Sequence, residues 1–183
     1  FKVDDGFSWE DDSFIPPNQN DLIIYEILIR DFHEDKSFES VVEKLDYLQG
    51  LGINAIELMP VNEFDGNSSW GYNPSFHMAV DKIYGSPTKF KELVNECHKR
   101  GMAVILDVVY NHATGQNPYF RLWNTENNSY VGSPTTQNPF FQESPVSESY
   151  LNYFNDMNHE SDYVRDYVRR VNNFLINEYH LDG

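Results

Sequence analysis

The chain has 183 residues, 40% of them hydrophobic, a composition typical of a folded domain with its own core. Its net charge of −16 repels phosphate backbones and anionic membrane surfaces, so no nucleic-acid partner is expected. The single cysteine, Cys97, excludes an intramolecular disulfide and a cysteine-based zinc site. No stretch approaches the roughly 18 apolar residues of a membrane span, so none is predicted.

The first 20 residues differ in composition from the rest of the chain. Residues 1–20 are acidic and contain the run Pro16-Pro17-Asn18-Gln19-Asn20, which is typical of a linker. We therefore expect this segment to connect an upstream domain to a second domain over residues 21–183.

Apolar segments then alternate between strand and helix patterns. Leu22 to Ile29 predicts a first strand, and apolar residues at helical spacing predict one helix over 38–51. Ile53 to Met59 predicts a second strand. Residues 60–85 carry no clear period and are predicted to form a long loop.

A second helix and a third strand follow this loop. Ser86 is a plausible N-cap with Pro87 at the first helical position, and Gly101 ends that helix. The run from Gly101 to His112 is rich in apolar, β-branched residues, as in a parallel strand buried on both faces. Asp107, Asn111 and His112 follow at its C-terminal end, where parallel βα proteins bind ligands.

Residues 113–160 are rich in Asn, Ser, Pro and aromatic residues and show no clear period. A connection this long is either functional or a small subdomain. Ser161 is predicted to cap a further helix, and a fourth strand is predicted to begin near His180.

This order of elements is β-α-β-α-β-insertion-α-β, which predicts an α/β protein with parallel strands. Both a doubly wound sheet and the first half of a (β/α)8 TIM barrel are compatible with it. No Gly-rich phosphate-binding turn follows any predicted strand, which makes a nucleotide-binding sheet less favoured.

Five segments in register resemble the α-amylase superfamily, glycoside hydrolase family thirteen. Asp107-Val108-Val109-Tyr110-Asn111-His112 resembles its first signature, and His180-Leu181-Asp182-Gly183 resembles the start of its second. Trp70-Gly71-Tyr72-Asn73-Pro74 resembles the loop after the second barrel strand. The segments around Ile24 to Phe32 and Gly52 to Val61 resemble the first two strands of pullulanase-like and branching-enzyme-like members.

The resemblance implies the first half of a TIM barrel over residues 21–183, with residues 113–160 as the irregular insertion between strand three and helix three. It also implies retaining cleavage of α-glucans such as starch or glycogen, which requires a nucleophilic carboxylate and a general acid/base. In the family these carboxylates lie beyond the position of Gly183. No catalytic residue is therefore assigned in this chain, and the 183 residues alone are expected to be inactive.

Three residues match family positions at the sugar site. The resemblance implies that His112 hydrogen-bonds the glucose at the cleavage point and that Tyr72 stacks against the same ring. It implies that Asp107 supports the site through hydrogen bonds and takes no part in the chemistry. From the residues alone, His112 is more simply a loop histidine satisfied by its neighbours, and Tyr72 could be a core residue.

A structural calcium ion is the one cofactor that the resemblance implies. Asn111 matches a position that often gives a side-chain oxygen to a structural Ca²⁺, and Asp156 resembles an insertion residue that helps to hold it. Calcium takes six to eight oxygen ligands, so these two candidates are a partial set.

Two alternatives to a hydrolase remain open. A glucan-branching transferase would use the same site but pass the glycosyl group to a sugar hydroxyl, and a non-catalytic relative would serve binding or scaffolding. An α-glucan is the expected partner, and an extracytoplasmic location is preferred to a cytoplasmic one. A half barrel also leaves strand edges uncovered, so self-association is expected.

Overall fold

The computed structural model describes residues 6–126, 130–142 and 154–183, and these fall into two units. The first unit contains the described residues up to Val61, together with Val80–Asp107 and Leu175–Gly183. The second contains Asn62–Ala79 and the described residues from Val108 to Phe174. Parts of the predicted linker 1–20 and insertion 113–160 thus lie outside the described residues, namely 1–5, 127–129 and 143–153.

The first unit contains a three-stranded parallel sheet in the order β1 (Ile24–Ile27), β2 (Ala55–Leu58), β5 (Ala103–Leu106). Three of the four residues in β2, and three of four in β5, are buried, as expected for largely apolar strands covered on both faces. Parallel strands separated by helices confirm the α/β class predicted from the sequence.

Three short helices and two longer ones follow these strands. The short ones are α1 (Ile29–Phe32), α2 (Phe38–Val42) and α3 (Leu45–Gly50). The longer ones are α4 (Pro87–Lys99) and α6 (Asp162–Tyr179), and α6 begins in the second unit and ends in the first. No helix among the described residues is both long enough and apolar enough to cross a membrane.

The prediction of one continuous helix over 38–51 is wrong at its middle. The Lys44 N–H donates to the Val41 carbonyl three residues earlier, so the chain tightens to a 3₁₀-type turn between α2 and α3. Phe38, Val41, Leu45 and Leu48 nevertheless remain fully buried. The apolar spacing thus predicted the buried face but did not reveal the turn.

Helix α4 begins and ends as its sequence predicts. The Ser86 side chain accepts from the Lys89 N–H at 3.2 Å, and Pro87 occupies the first turn. Gly101 ends the helix at a φ of +70°, where a side chain would be strained. The Phe90 ring of α4 stacks on Phe38 with centroids 5.0 Å apart, which joins α4 to α2 in the core.

A cluster of two histidines and two carboxylates joins distant parts of the first unit. His98 of α4 is buried, and its Nδ1 and Nε2 lie 3.0 Å from Asp11 and 3.0 Å from Asp182. His180 Nδ1 lies 2.7 Å from the same Asp11 oxygen. Because carboxylates only accept, both nitrogens of His98 carry protons and its ring is cationic.

These contacts shift the pKa values of His98 and Asp11. Burial lowers the pKa of His98, but hydrogen bonds to Asp182 and Asp11 outweigh it, and the pKa lies above its usual value. Burial raises the pKa of Asp11, and hydrogen bonds to His180 and His98 bring it below normal.

A regular fourth strand is not present in residues 180–183. His180 takes a φ of +52° directly after α6, which interrupts an extended path. Two hydrogen bonds still attach this segment to β5, from Asp182 N–H to the Val104 carbonyl and from Leu106 N–H to the Gly183 carbonyl, each at 3.0 Å. The prediction of a strand beginning near His180 therefore stays a prediction.

The predicted loop over 60–85 is also corrected by the structure. It contains β3 (Asn62–Phe64) and β4 (Pro74–Val80), which pair as a two-stranded sheet. In β4 the polar side chains Ser75 and His77 are buried while Phe76 and Met78 are exposed. This inverted pattern hid the strand, because strand prediction expects apolar residues on the buried face.

Within the predicted insertion 113–160, the described residues share a small core. The elements are β6 (His112–Ala113), α5 (Pro118–Leu122) and β7 (Asn155–Asp156), with β6 and β7 antiparallel. Their buried side chains form one cluster with α6, comprising Ala113, Phe120, Phe141, Met157 and Val164.

We expect Asp11→Asn to destabilise the protein by about 2 kcal/mol at pH 6, because a charged hydrogen bond to buried His98 is lost. The folded-state pKa of His98 is raised, so its contribution is complete below about pH 6.5 and is lost as pH rises through the folded pKa. The effect should therefore shrink at pH 9. Urea unfolding of both proteins at the two pH values measures it, with Asp12→Asn at the exposed neighbour as control. Equal losses at both pH values would contradict this account.

Candidate functional site

The structure brings two of the predicted sugar-binding residues into contact. His112 lies in β6, and its Nε2 is 2.7 Å from the backbone carbonyl oxygen of Tyr72. A carbonyl oxygen only accepts, so Nε2 carries the proton. Segments 40 residues apart in sequence therefore meet through the imidazole.

The other ring nitrogen of His112 also has a partner. Its Nδ1 lies 3.3 Å from the Asn111 side-chain nitrogen, which suits a neutral ring accepting at Nδ1. The Phe154 ring lies beside it, with centroids 5.3 Å apart. The half-buried imidazole is thus held in the form that donates from Nε2, and a sugar hydroxyl reaching Nε2 would share or displace the Tyr72 carbonyl.

A tight turn presents Tyr72. Gly71 takes a φ of +95°, which a residue with a Cβ adopts only with strain, and its N–H donates to the Ser69 hydroxyl at 2.9 Å. Asn73 closes the turn with its side-chain amide, which donates to the Asp65 carbonyl at 2.9 Å. Tyr72 itself is 38% exposed, and its stacking role stays a prediction.

The candidate calcium ligands are neighbours of His112: Asn111 precedes it in the chain, and Asp156 lies opposite it in the β6–β7 pair. The Asn111 carbonyl accepts from the Met157 N–H at 2.9 Å. The Asp156 carboxylate accepts from the Gln142 amide at 3.1 Å. Burial raises the pKa of Asp156, with His159 and His112 acting in the opposite direction.

This donor set fits calcium in kind but supplies few ligands. Side-chain oxygens are what Ca²⁺ prefers, and a nearby cation would stabilise the partly buried carboxylate of Asp156. Among the described residues, no group of three or more His, Cys, Asp or Glu is placed to hold a metal. A calcium site at Asn111 and Asp156 therefore stays a prediction, for which these two residues would be an incomplete ligand set.

Asp107 lies in the first unit, directly after β5. Its N–H donates at 2.9 Å to the carbonyl of Leu58, the last residue of β2, so it stands at the carboxyl ends of two parallel strands. Its side chain is half-buried. Its predicted role in supporting the site stays a prediction.

Sequence reasoning missed a buried histidine in the second unit. His77 of β4 is 1% exposed, its Nε2 lies 3.0 Å from the Val109 carbonyl oxygen, and its Nδ1 lies 3.1 Å from the Tyr167 hydroxyl. Burial lowers the pKa of His77 to about 4, although the Val109 hydrogen bond acts in the opposite direction. The histidine was not singled out because it lay in the predicted loop.

Neighbouring polar residues add hydrogen bonds between β4 and the segment that follows His112. The Ser75 and Thr114 hydroxyls lie 2.7 Å apart, and the Asn117 amide donates to the Ser75 carbonyl at 3.1 Å. The Thr114 N–H donates to the Pro74 carbonyl at 2.9 Å. Hydrogen bonds of buried polar groups thus hold β4 beside the segment that carries His112.

The model of the family described as "Alpha amylase, catalytic domain" matches residues 30–183. The chain belongs to this family. The family prediction made from the five motifs is thereby confirmed.

Individual relatives agree with this assignment. Malto-oligosyltrehalose trehalohydrolase from Saccharolobus solfataricus is 39% identical over 178 residues, which cover 97% of this chain and 29% of that protein. The chloroplastic Isoamylase 1 of Arabidopsis thaliana is 33% identical over 215 residues, covering 97% and 26%. The chain thus spans less than a third of the length of these relatives.

A solved structure shows the same fold. The crystal structure of a putative alpha amylase from Salmonella typhimurium matches with a TM-score of 0.82 and 28% identity, covering 99% of this chain and 28% of that one. These similarities agree with the assignment of the chain to the alpha-amylase family.

We expect the His77 imidazole to keep its proton on Nε2 and to titrate near pH 4, because burial disfavours its charged form. Long-range ¹H–¹⁵N NMR spectra of the ¹⁵N-labelled protein between pH 8 and 4 measure this, with His77→Gln used to assign the resonance. Since the folded pKa is depressed, the contribution of His77 to stability is present above about pH 6.5 and is lost as pH falls through 4. A midpoint near 6.5 would contradict the buried, neutral ring.

Proposed function

We propose that the chain is the amino-terminal part of the catalytic (β/α)8 barrel of a retaining enzyme that cleaves α-glucans. In this proposal β1, β2 and β5 are the first three barrel strands, and α6 is the helix after the third. Residues 113–160 are the irregular insertion between that strand and that helix.

The observation that carries the proposal is the contact between His112 and Tyr72. Two family motifs that would bind one glucose ring lie side by side, with His112 Nε2 2.7 Å from the Tyr72 carbonyl oxygen. A neutral imidazole donates a hydrogen bond to a sugar hydroxyl without introducing a charge. An aromatic ring covers the apolar face of the same sugar.

The proposal assigns none of the catalytic carboxylates to these 183 residues. Retaining cleavage needs a nucleophile and a general acid/base about 5 Å apart. The chain would supply the glucose-binding part of the site, while the remaining barrel strands supply the chemistry. The 183 residues alone should therefore give no turnover of maltoheptaose.

In the full-length protein, we expect His112→Ala and Tyr72→Ala each to lower kcat/KM for maltoheptaose by about 100-fold, because both groups bind the reacting sugar. Tyr72→Phe should lose far less, since the stacking ring remains. His33→Ala in the first unit and Tyr130→Ala, which is 60% exposed, are controls that should keep wild-type rates. Initial rates at several concentrations separate kcat from KM.

The products of the same assay test the reaction type. New reducing ends indicate hydrolysis, whereas new branch points on amylose indicate a transferase. Absence of both from the full-length protein would favour the non-catalytic alternative. Wild-type rates in both alanine variants would remove the proposed sugar site.

We also propose that Asn111 and Asp156 contribute oxygen ligands to a structural Ca²⁺. The raised pKa of Asp156 supports this, because its partly buried carboxylate would be stabilised by a cation. We expect Ca²⁺ to release heat in calorimetry and to raise the melting temperature. Asp156→Asn should abolish both effects, and Asp162→Asn on the exposed start of α6 should keep them. A wild-type protein without heat or thermal shift would overturn the proposal.

A further inference from the structure

The segment 109–112, which ends in His112, is held by its carbonyl groups. Three consecutive carbonyls each accept one hydrogen bond from elsewhere in the second unit. The Tyr110 carbonyl accepts from His159 Nε2 at 2.7 Å and the Asn111 carbonyl from the Met157 N–H at 2.9 Å. The Val109 carbonyl accepts from His77 Nε2 at 3.0 Å.

The third of these donors differs from the other two in origin. His159 and Met157 belong to one short segment after β7, whereas His77 belongs to β4, the strand that follows Tyr72. Near the other end of the segment, His112 itself donates to the Tyr72 carbonyl. The segment 109–112 is thus joined to the segment 72–77 at both ends.

We propose that His77 is a positioning residue for glucose binding: its Nε2–H holds the Val109 carbonyl and thereby sets where the His112 ring lies relative to Tyr72. The proposal rests on the proposed function of His112 and Tyr72. It assigns His77 no contact with the sugar and no part in proton transfer.

Two features of His77 suit it to this role. A neutral imidazole has one donor and one acceptor, and these match a carbonyl on one side and the Tyr167 hydroxyl on the other. The backbone at the same residue is also fixed, because the Asn62 side-chain amide donates to the His77 carbonyl at 2.6 Å. The donor that reaches Val109 therefore projects from a rigid support.

Because His77 is buried, losing its hydrogen bond to Val109 would be costly. Its ring lies edge-on to Tyr167 and close to Tyr110, with centroids 5.7 and 5.8 Å away, and its side chain is almost fully shielded from water. A Val109 carbonyl that lost this donor would have to shift to find another. Such a shift, three residues before His112, changes the geometry of the imidazole at the sugar.

The test uses the full-length protein and two substitutions of similar size. His77→Gln keeps an N–H donor and His77→Met does not. We expect His77→Met to lower kcat/KM for maltoheptaose at least tenfold, since small misplacements of binding groups have effects of this order. His77→Gln should restore the rate to within about threefold of wild type. Tyr163→Phe, which removes an exposed hydroxyl from the same helix as Tyr167, should leave the rate unchanged.

A double-mutant cycle separates positioning from general damage to the fold. If His77 acts through His112, His77→Met should have less than a twofold further effect in the His112→Ala background.

The outcomes distinguish failure of the positioning role from failure of the proposed sugar site. Independent, multiplicative losses from His77→Met and His112→Ala would overturn the positioning role while leaving the sugar site intact. A wild-type rate in His112→Ala would instead remove the proposed function and this proposal with it. If His77→Met does not fold, NMR of the wild-type protein decides. Saturating maltoheptaose should shift the His77 Nε2–H resonance through the Val109 segment, and an unchanged resonance would overturn the proposal.

Discussion

Buried polar groups must find hydrogen-bond partners, and this requirement shapes the second unit of the protein. Strand β4 buries Ser75 and His77, so its inward face is held by specific donors and acceptors in addition to apolar packing. Their partners, Thr114, Val109 and Tyr167, come from three other segments. Loss of any partner leaves a buried polar atom unsatisfied, which costs more than the loss of a solvated hydrogen bond.

The same requirement gives three histidines different properties. His77 meets a carbonyl and a hydroxyl and is neutral, whereas His98 meets two carboxylates and is cationic. His112 is half-buried and meets a carbonyl and an amide, which leaves a neutral ring with its donor on Nε2. The residue type is constant, and the partners set the charge and the proton position.

The different burial of His77 and His112 suits a sugar-binding site. In the proposed sugar site, His112 would stay partly exposed and neutral and would donate to a hydroxyl without a large desolvation cost. His77, its proposed support, is buried. A binding site built from a half-exposed histidine and a fully buried one separates contact with the ligand from control of geometry.

Much of the framework could be predicted from the sequence, because the signals are local. The unbroken apolar run at Ala103 to Leu106 specified a buried parallel strand, and Ser86, Pro87 and Gly101 specified the ends of α4. The motifs around Tyr72 and His112 were recognisable as short strings of residues, and they specified the family.

Only the tertiary structure revealed which distant groups meet. Strand β4 escaped prediction because its buried face carries Ser75 and His77, and nothing local shows that Val109 and Tyr167 satisfy that histidine. Asp11 looked like part of an acidic linker, yet it contacts His98, 87 residues away. Apolar patterning predicts which residues are buried, because burial depends on the free energy of transferring each side chain out of water. The hydrogen-bond partner of a buried polar atom depends instead on the path of the whole chain.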